Sequence, residues 1–390
     1  MFIGVILSGL ITLIFISTPE SLQVNVPDNI PTITTKSAQK REFDEAKKFF
    51  ESSIKSKIPG ASLAAVVSWS PNSKYILTDL RFADSASIRT KPYIFDLANK
   101  EYIEVPNTDW IDTASWAGSK VAYATESGFG VFDVATNTSE TFGNSSENID
   151  QPIISADGSY VAYADKGIMV YSLKASKSIR LTSNSEDVPA LWKTDNKTIL
   201  IYTASESKSA KATLVELHIG SRELTKITDL PQSPKRAQWV ERDQLALFTL
   251  GHDDNSFDYT YDFSNDTLTL LAETSEGLAF TSTKDKEIAT LKGNKISLYD
   301  NHAVKIAEAK RSEKSKVVNF SLVPSKSVFL IREKGKKYDS AIFNIDFAQE
   351  TVLENLWLPY AIIAPNGKSA ITVEEGNDAA HFIDIPVASS

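Results

Sequence analysis

The chain has 390 residues, 42% hydrophobic and 23% charged, the balance of a globular protein rather than a disordered one. Its formal net charge of −9 argues against a nucleic-acid binder, which presents a basic face. Cysteine is absent, which excludes disulfides, thiol nucleophiles and cysteine-ligated zinc or iron–sulfur centres.

The first element is Phe2 to Ile16, an uncharged and almost wholly apolar run ended by Ser17-Thr18-Pro19-Glu20. In a helix it covers roughly 22 Å of a hydrocarbon core about 30 Å thick. Residues 1–18 therefore read as a membrane anchor or signal segment. The anchor is favoured because no Lys or Arg precedes the run and no small-x-small cleavage site follows it. Export follows, with the remainder of the chain expected in the periplasm or outside the cell, membrane-anchored or, after cleavage, secreted.

Residues 19–60 read as a tether. Pro19, Pro27 and Pro31 punctuate it, and Leu22 to Val26 and Thr32 to Thr35 are short β-like pieces. Ser37 can cap a helix running to about Lys57, with Phe43, Ala46, Phe50 and Ile54 on one face and charges on the other. Pro59-Gly60 stops it. The apolar stripe is expected to dock this helix on the domain that follows.

From Ala61 onward one pattern recurs about eight times: an apolar strand, a polar turn, a second apolar strand, a third ending in Asp or a small polar residue, and a short fourth. The turns fall at positions 71, 117, 157, 195, 242, 284, 324 and 365, spaced by 38 to 47 residues. Four short strands repeated at that interval define a β-propeller. The fold expected over 61–390 is all-β, with eight four-stranded blades or alternatively seven. Trp69, Trp116, Trp192 and Trp239 stand just ahead of the turn in four units, a periodicity that points to packing between blades. The eighth unit reaches Ile385-Pro386 with only four residues beyond it. Closure of the ring by Leu22 to Val26, or by Thr32 to Thr35, is the expectation, since an open sheet edge is avoided.

The repeats resemble those of the TolB-like, PD40 (WD40-like) propeller family, relatives of which precede the catalytic domains of prolyl-oligopeptidase-type peptidases. The resemblance is carried by Ser70-Pro71-Asn72-Ser73-Lys74, Ser155-Ala156-Asp157-Gly158-Ser159 and Ala364-Pro365-Asn366-Gly367-Lys368, and by the closing Leu181-Thr182 and Ile227-Thr228. It spans about residues 61–386 and implies a bacterial-type propeller. It does not bring an activity, because turn and packing residues carry it. TolB-like proteins place an α/β domain ahead of the propeller where this sequence has a tether and one helix.

Chemistry is sparse. The four histidines, His218, His252, His302 and His381, fall on or beside third strands or in turns, and none lies on a first strand near the axis. No phosphate loop and no G-x-S-x-G elbow is present. Asp253-Asp254-Asn255 with Asp258 lacks the spacing of a calcium loop, so neither a metal nor a cofactor is expected. The candidate binding surface is the mouth of the axial channel, at the start of the first strands. Asp112, Asp150 and Asp187 stand there on one side, and Lys235, Arg236 and Lys316 on the other. A monomeric, non-catalytic scaffold holding a protein or peptide partner is the expected function, with Arg236 suited to a carboxylate. The alternatives are a lyase or hydrolase of envelope polymers that uses axial acids, and a sensor coupled to a membrane partner.

Overall fold

The computed structural model describes residues 45–46, 48–50, 54, 57–83, 88–106, 108, 111, 113–125, 128–142, 152–204, 211–232, 234–252, 255–273, 279–284, 286–312, 315–356, 358–359, 361–374 and 379–386. Residues 2–16 lie outside this set, as do Leu22 to Val26 and Thr32 to Thr35, the strands expected to close the ring. Among the described residues no helix is long and apolar enough to cross a membrane.

Eight antiparallel sheets follow one another along the chain, over 61–104, 113–142, 153–180, 187–230, 234–273, 279–310, 317–356 and 362–384. These are blades 1 to 8. Seven have four strands, and blade 8 has three among the described residues. Each chain segment passes through its blade from first strand to last before moving on, so every pairing is a hairpin between sequence neighbours.

Burial explains why the second strands are so apolar. In Lys120–Thr125 the four central residues, Val121 to Ala124, are all fully buried, because both faces of a middle strand are covered by adjacent blades. The fourth strands are polar for the opposite reason: Lys177–Arg180 and Lys305–Lys310 lie at the outer rim and are mostly exposed.

The turn joining first and second strands contains a left-handed residue in every blade: Ser73, Gly118, Gly158, Asn196, Asp243, Lys286, Ser325 and Gly367. That requirement is why Gly, Asn and Asp recur there. The turn is also wired by side chains. Ser70 Oγ donates to Asn72 Oδ1 (2.7 Å) and accepts from the Tyr75 amide (2.9 Å). Ser155 does the same with Asp157 (2.6 Å) and Tyr160 (3.0 Å).

Neighbouring turns then touch around this face. The Asp157 amide donates to Asn196 (3.4 Å), the Thr194 amide to Asp243 (3.1 Å), and Lys286 pairs with Glu241 (2.5 Å). At Gly367 the contact is close enough to forbid a side chain: a Cβ there would stand 2.3 Å from the ring of Pro324 in blade 7.

The four tryptophans link consecutive blades. Trp116 Nε1 donates to Ser68 Oγ of blade 1 (2.9 Å), Trp192 Nε1 to the Ile153 carbonyl of blade 3 (2.9 Å), and Trp239 Nε1 to the Trp192 carbonyl (2.9 Å). Trp69 Nε1 donates to the Ile362 carbonyl of blade 8 (3.2 Å), so blade 1 meets blade 8 and the ring is closed. In blades 3 and 7, which lack the indole, a backbone amide makes the link: Ile154 donates to Ser115 Oγ (3.2 Å) and Leu322 to Ser282 Oγ (3.0 Å).

The 8–1 junction carries an addition. Helical residues Ala46, Phe50 and Ile54 join its apolar cluster with Trp69, Phe95 and Phe382. Phe50 is fully buried, with its ring 4.7 Å from Phe95 and edge-on to Phe382 at 5.5 Å. The 6–7 junction instead buries charge. Arg332 forks onto Asp339 across a strand pair, with two contacts of 2.7 Å, and also reaches Glu350. Arg311, following the last strand of blade 6, approaches Glu350 at 2.7 Å. Both arginines are at most 2% exposed.

Candidate functional site

The two faces of the ring differ. One is the face of first-to-second-strand turns just described, tied together by hydrogen bonds between blades. The other is where each first strand begins, fed by the segments that cross from one blade to the next. The sequence-derived candidates belong to this second face.

Asp112 and Asp150 lie outside the described residues. Asp187 opens the first strand of blade 4, Asp187–Trp192, and is 4% exposed. Its carboxylate accepts from Thr203 Oγ1 (2.7 Å) and Asn184 Nδ2 (3.0 Å). Lys235 and Arg236 are exposed on the first strand of blade 5, Pro234–Glu241, and Arg236 donates to Gln238 (3.3 Å). Lys316 precedes blade 7 and pairs with Glu333 (2.8 Å), both half exposed. Asp187, Arg236 and Lys316 are each tied within their own blade, and they stand on three different blades.

Asp187 is not isolated, however. It lines a groove of about 750 Å³ between blades 3 and 4, within the size range of ligand clefts. One wall is the crossing segment 180–184. The floor is the face that blade 4 turns toward blade 3, with Ile201 and Val215 at its centre and Leu224 at the outer strand. The groove therefore crosses the blade from its innermost strand, at Asp187, to its outermost, at Lys226.

The wall is held in place by its own hydrogen bonds. The Leu181 amide donates to the Ile168 carbonyl (2.8 Å), and the Ile168 amide donates to Thr182 Oγ1 (2.9 Å). Gly167, at φ 117°, lies so near that an added Cβ would stand 2.4 Å from the Thr182 carbonyl oxygen. Arg180 Nη1 caps the Asp165 carbonyl at 2.7 Å. Asn184 closes the segment onto Asp187, accepting the Asp187 amide on its carbonyl (3.1 Å) and the Glu186 amide on Oδ1 (3.2 Å). The wall is thus pre-shaped, which lowers the ordering cost of any occupant.

The lining mixes an apolar floor with three cations, Arg180, Arg222 and Lys226, against the single carboxylate of Asp187. The sequence reading placed Asp187 at the start of a strand but missed Arg180, Arg222 and Lys226. They lie on or beside outer strands and look like solvated charges, and only the pairing of blade 3 with blade 4 brings them to one groove.

Among the described residues no acid–base or nucleophilic constellation accompanies the groove. His218 accepts from the Ser221 amide (3.2 Å), His302 is exposed in a turn, and His381 pairs with Glu354 at the 7–8 junction. Asp258 is buried and accepts from Thr249 (2.6 Å), while Asp253 and Asp254 lie outside the described residues. Among the described residues no group of three or more His, Asp or Glu is placed to hold a metal ion.

No family model matches the chain, and no curated protein matches it. Solved structures do, as propellers. The dipeptidyl peptidase 4 of Porphyromonas gingivalis superposes with a TM-score of 0.58 at 12% identity, over 85% of this chain and 57% of that one. A eukaryotic initiation factor superposes at 0.55 and 12% identity, over 81% and 84%. TolB from Acinetobacter baumannii matches at 0.39 and 14% identity, over 80% of each chain, a score too low to bear on the family. The chain thus spans a little over half of the peptidase. The class of protein these likenesses define is the β-propeller. At such identities they establish the fold alone, since propellers host unrelated activities.

Proposed function

We propose that this chain is a non-catalytic β-propeller scaffold, tethered outside the cytoplasm by its apolar N-terminal segment, that captures a protein segment on the face where the first strands begin. The observation that carries this reading is the pre-shaped groove between blades 3 and 4. It has the dimensions and mixed lining of a binding cleft, with an apolar floor and three cations among the described residues. Propellers suit such a role because rigid strands hold their loops in fixed positions.

The test is in-cell photo-crosslinking with the full chain, a crosslinking residue replacing Leu181 in one variant and Phe347, exposed in the turn between blade 7's third and fourth strands, in another. A single partner recovered in stoichiometric amount from the Leu181 position and not from the Phe347 position is the expected result. Equal recovery from both positions, or cleavage of an envelope polymer by the purified full chain, overturns the proposal.

A further inference from the structure

The groove also indicates the chemistry of its occupant, an inference that rests on the scaffold reading. Its length is set by the strands it crosses. Four strands at about 4.8 Å spacing give about 14 Å from Asp187 to Lys226, the reach of four to five extended residues at about 3.3 Å each. Its floor is apolar at Ile201, Val215 and Leu224, and Leu224 is 54% exposed, unusual for a leucine beside a cleft. Its charge is opposite to that of the molecule. A chain with net charge −9 lines this groove with three cations.

The one carboxylate in the lining is already occupied. Asp187 accepts from both Thr203 and Asn184, so it holds the wall, and its charge stands at the inner end of the groove, opposite Lys226 at the outer end. Among the cations, Arg180 uses Nη1 on the backbone of blade 3, which aims the rest of its guanidinium from a fixed position. Lys226 pairs with Asp229 at 2.8 Å, with both side chains more than half exposed. A pair that open to water contributes little and exchanges readily for a better partner. Arg222 is exposed at the turn leading into the outer strand.

We infer that the groove binds an extended acidic segment of a protein, four to five residues long, whose alternate side chains are apolar and carboxylate. The apolar set lies on Ile201, Val215 and Leu224. The carboxylates meet Arg180, Arg222 and Lys226, where guanidinium forks match their geometry. An acidic segment also explains why the cations cluster at the outer end, where one ligand face is exposed to water and the opposite face rests on blade 4.

The experiment uses the full chain in detergent micelles and three fluorescein-labelled octapeptides, alternating valine with glutamate, with glutamine or with lysine, read by fluorescence anisotropy. The glutamate peptide is expected to bind at least tenfold more tightly than the glutamine peptide, with an advantage that shrinks as salt is raised. In the double variant Arg222→Glu with Lys226→Glu, whose fold is checked by circular dichroism, the preference is expected to pass to the lysine peptide.

Equal affinity for the glutamate and glutamine peptides, absence of binding by all three, or an unchanged preference in the double variant overturns the inference. A partner crosslinked at Leu181 through a neutral or basic segment overturns it as well, while leaving the scaffold reading standing.

Discussion

At the junction of blades 8 and 1, Phe50 is inserted among Trp69, Phe95 and Phe382 in a largely apolar seam, where the Trp69 indole and the Tyr102 hydroxyl donate to carbonyls and the Tyr93 hydroxyl donates to Glu104. At the junction of blades 6 and 7, two arginines and two carboxylates are buried together. Both junctions join one blade to the next in the same ring, yet one is held by area and the other by geometry. The apolar seam tolerates small shifts, because dispersion and burial are not directional. The ionic junction does not: each charge has lost its water and depends on its partners. The first design joins blades 1 and 8, the two described blades farthest apart in sequence. The second allows only one alignment of blade 6 against blade 7.

The largest effect should come from the ionic junction. Replacing Glu350 with alanine leaves the guanidinium of Arg311, among the described residues, with Ser315 alone and removes one of the acids on Arg332. Loss of one partner from a buried cluster costs about 3–5 kcal/mol, and the midpoint of denaturant unfolding should fall accordingly. Phe50→Ala should come next, at about 3 kcal/mol, the low end for a buried aromatic because the helix can move to fill part of the space. Its effect should be local, with hydrogen exchange accelerating in Ala61–Trp69 and Ala379–Asp384 before other strands. The comparison breaks if Glu350→Ala costs less than Phe50→Ala, since that outcome means water reaches Arg311 and Arg332.

The two junctions also differ in how much of them can be read from the sequence. The apolar seam was legible in outline. The helix shows its stripe at Ala46, Phe50 and Ile54, and Trp69 repeats in step with Trp116, Trp192 and Trp239. Blade number was legible because the turn at each unit needs a left-handed residue, and Gly158, Asn196, Asp243 and Gly367 advertise it. The ionic junction was not legible. Arg332 and Asp339 flank Glu-Lys-Gly-Lys-Lys-Tyr, a stretch that reads as a solvated hairpin, and Arg311 and Glu350 are 39 residues apart. Nothing periodic marks four charges that meet only when two blades stack.

The groove shows the same limit. Asp187 was chosen for its place at the start of a first strand, but its partners Asn184 and Thr203, and the cations around it, depend on the path of the crossing segment. That path is decided by Gly167 and Thr182, two residues without a chemical signature.

The smallest expected effect sharpens the contrast through pH. The carboxylates held below their ordinary range include Asp133, Asp157, Asp195 and Asp262, all in turns of blades 2 to 5. At Asp195 burial works to raise the carboxyl, but hydrogen bonds from the Thr198 hydroxyl and the Lys197 and Thr198 amides outweigh it. A carboxylate whose pKa is depressed by folding stabilises the native state above its unfolded value of about 3.9, and that stabilisation is lost as pH falls through the folded value. The seam at blades 8 and 1 is built mainly on phenylalanine and tryptophan, and the depressed carboxyl bonded to its cluster, Glu104, lies on the outermost strand of blade 1, away from Ala61–Trp69. Acidification from pH 5 to pH 3 should therefore lower the amide protection factors, taken relative to the slower intrinsic exchange in acid, in the turns of blades 2 to 5 while Ala61–Trp69 stays protected. Asp195→Asn should flatten the response in blade 4 alone and cost about 1 kcal/mol or less at pH 7, since Asp195 is an exposed residue and an amide oxygen can still accept some of its hydrogen bonds. If Ala61–Trp69 loses protection at the same pH as the turns, the ring opens as one unit, and the distinction between an apolar seam and polar turns has no consequence for how the protein unfolds in acid.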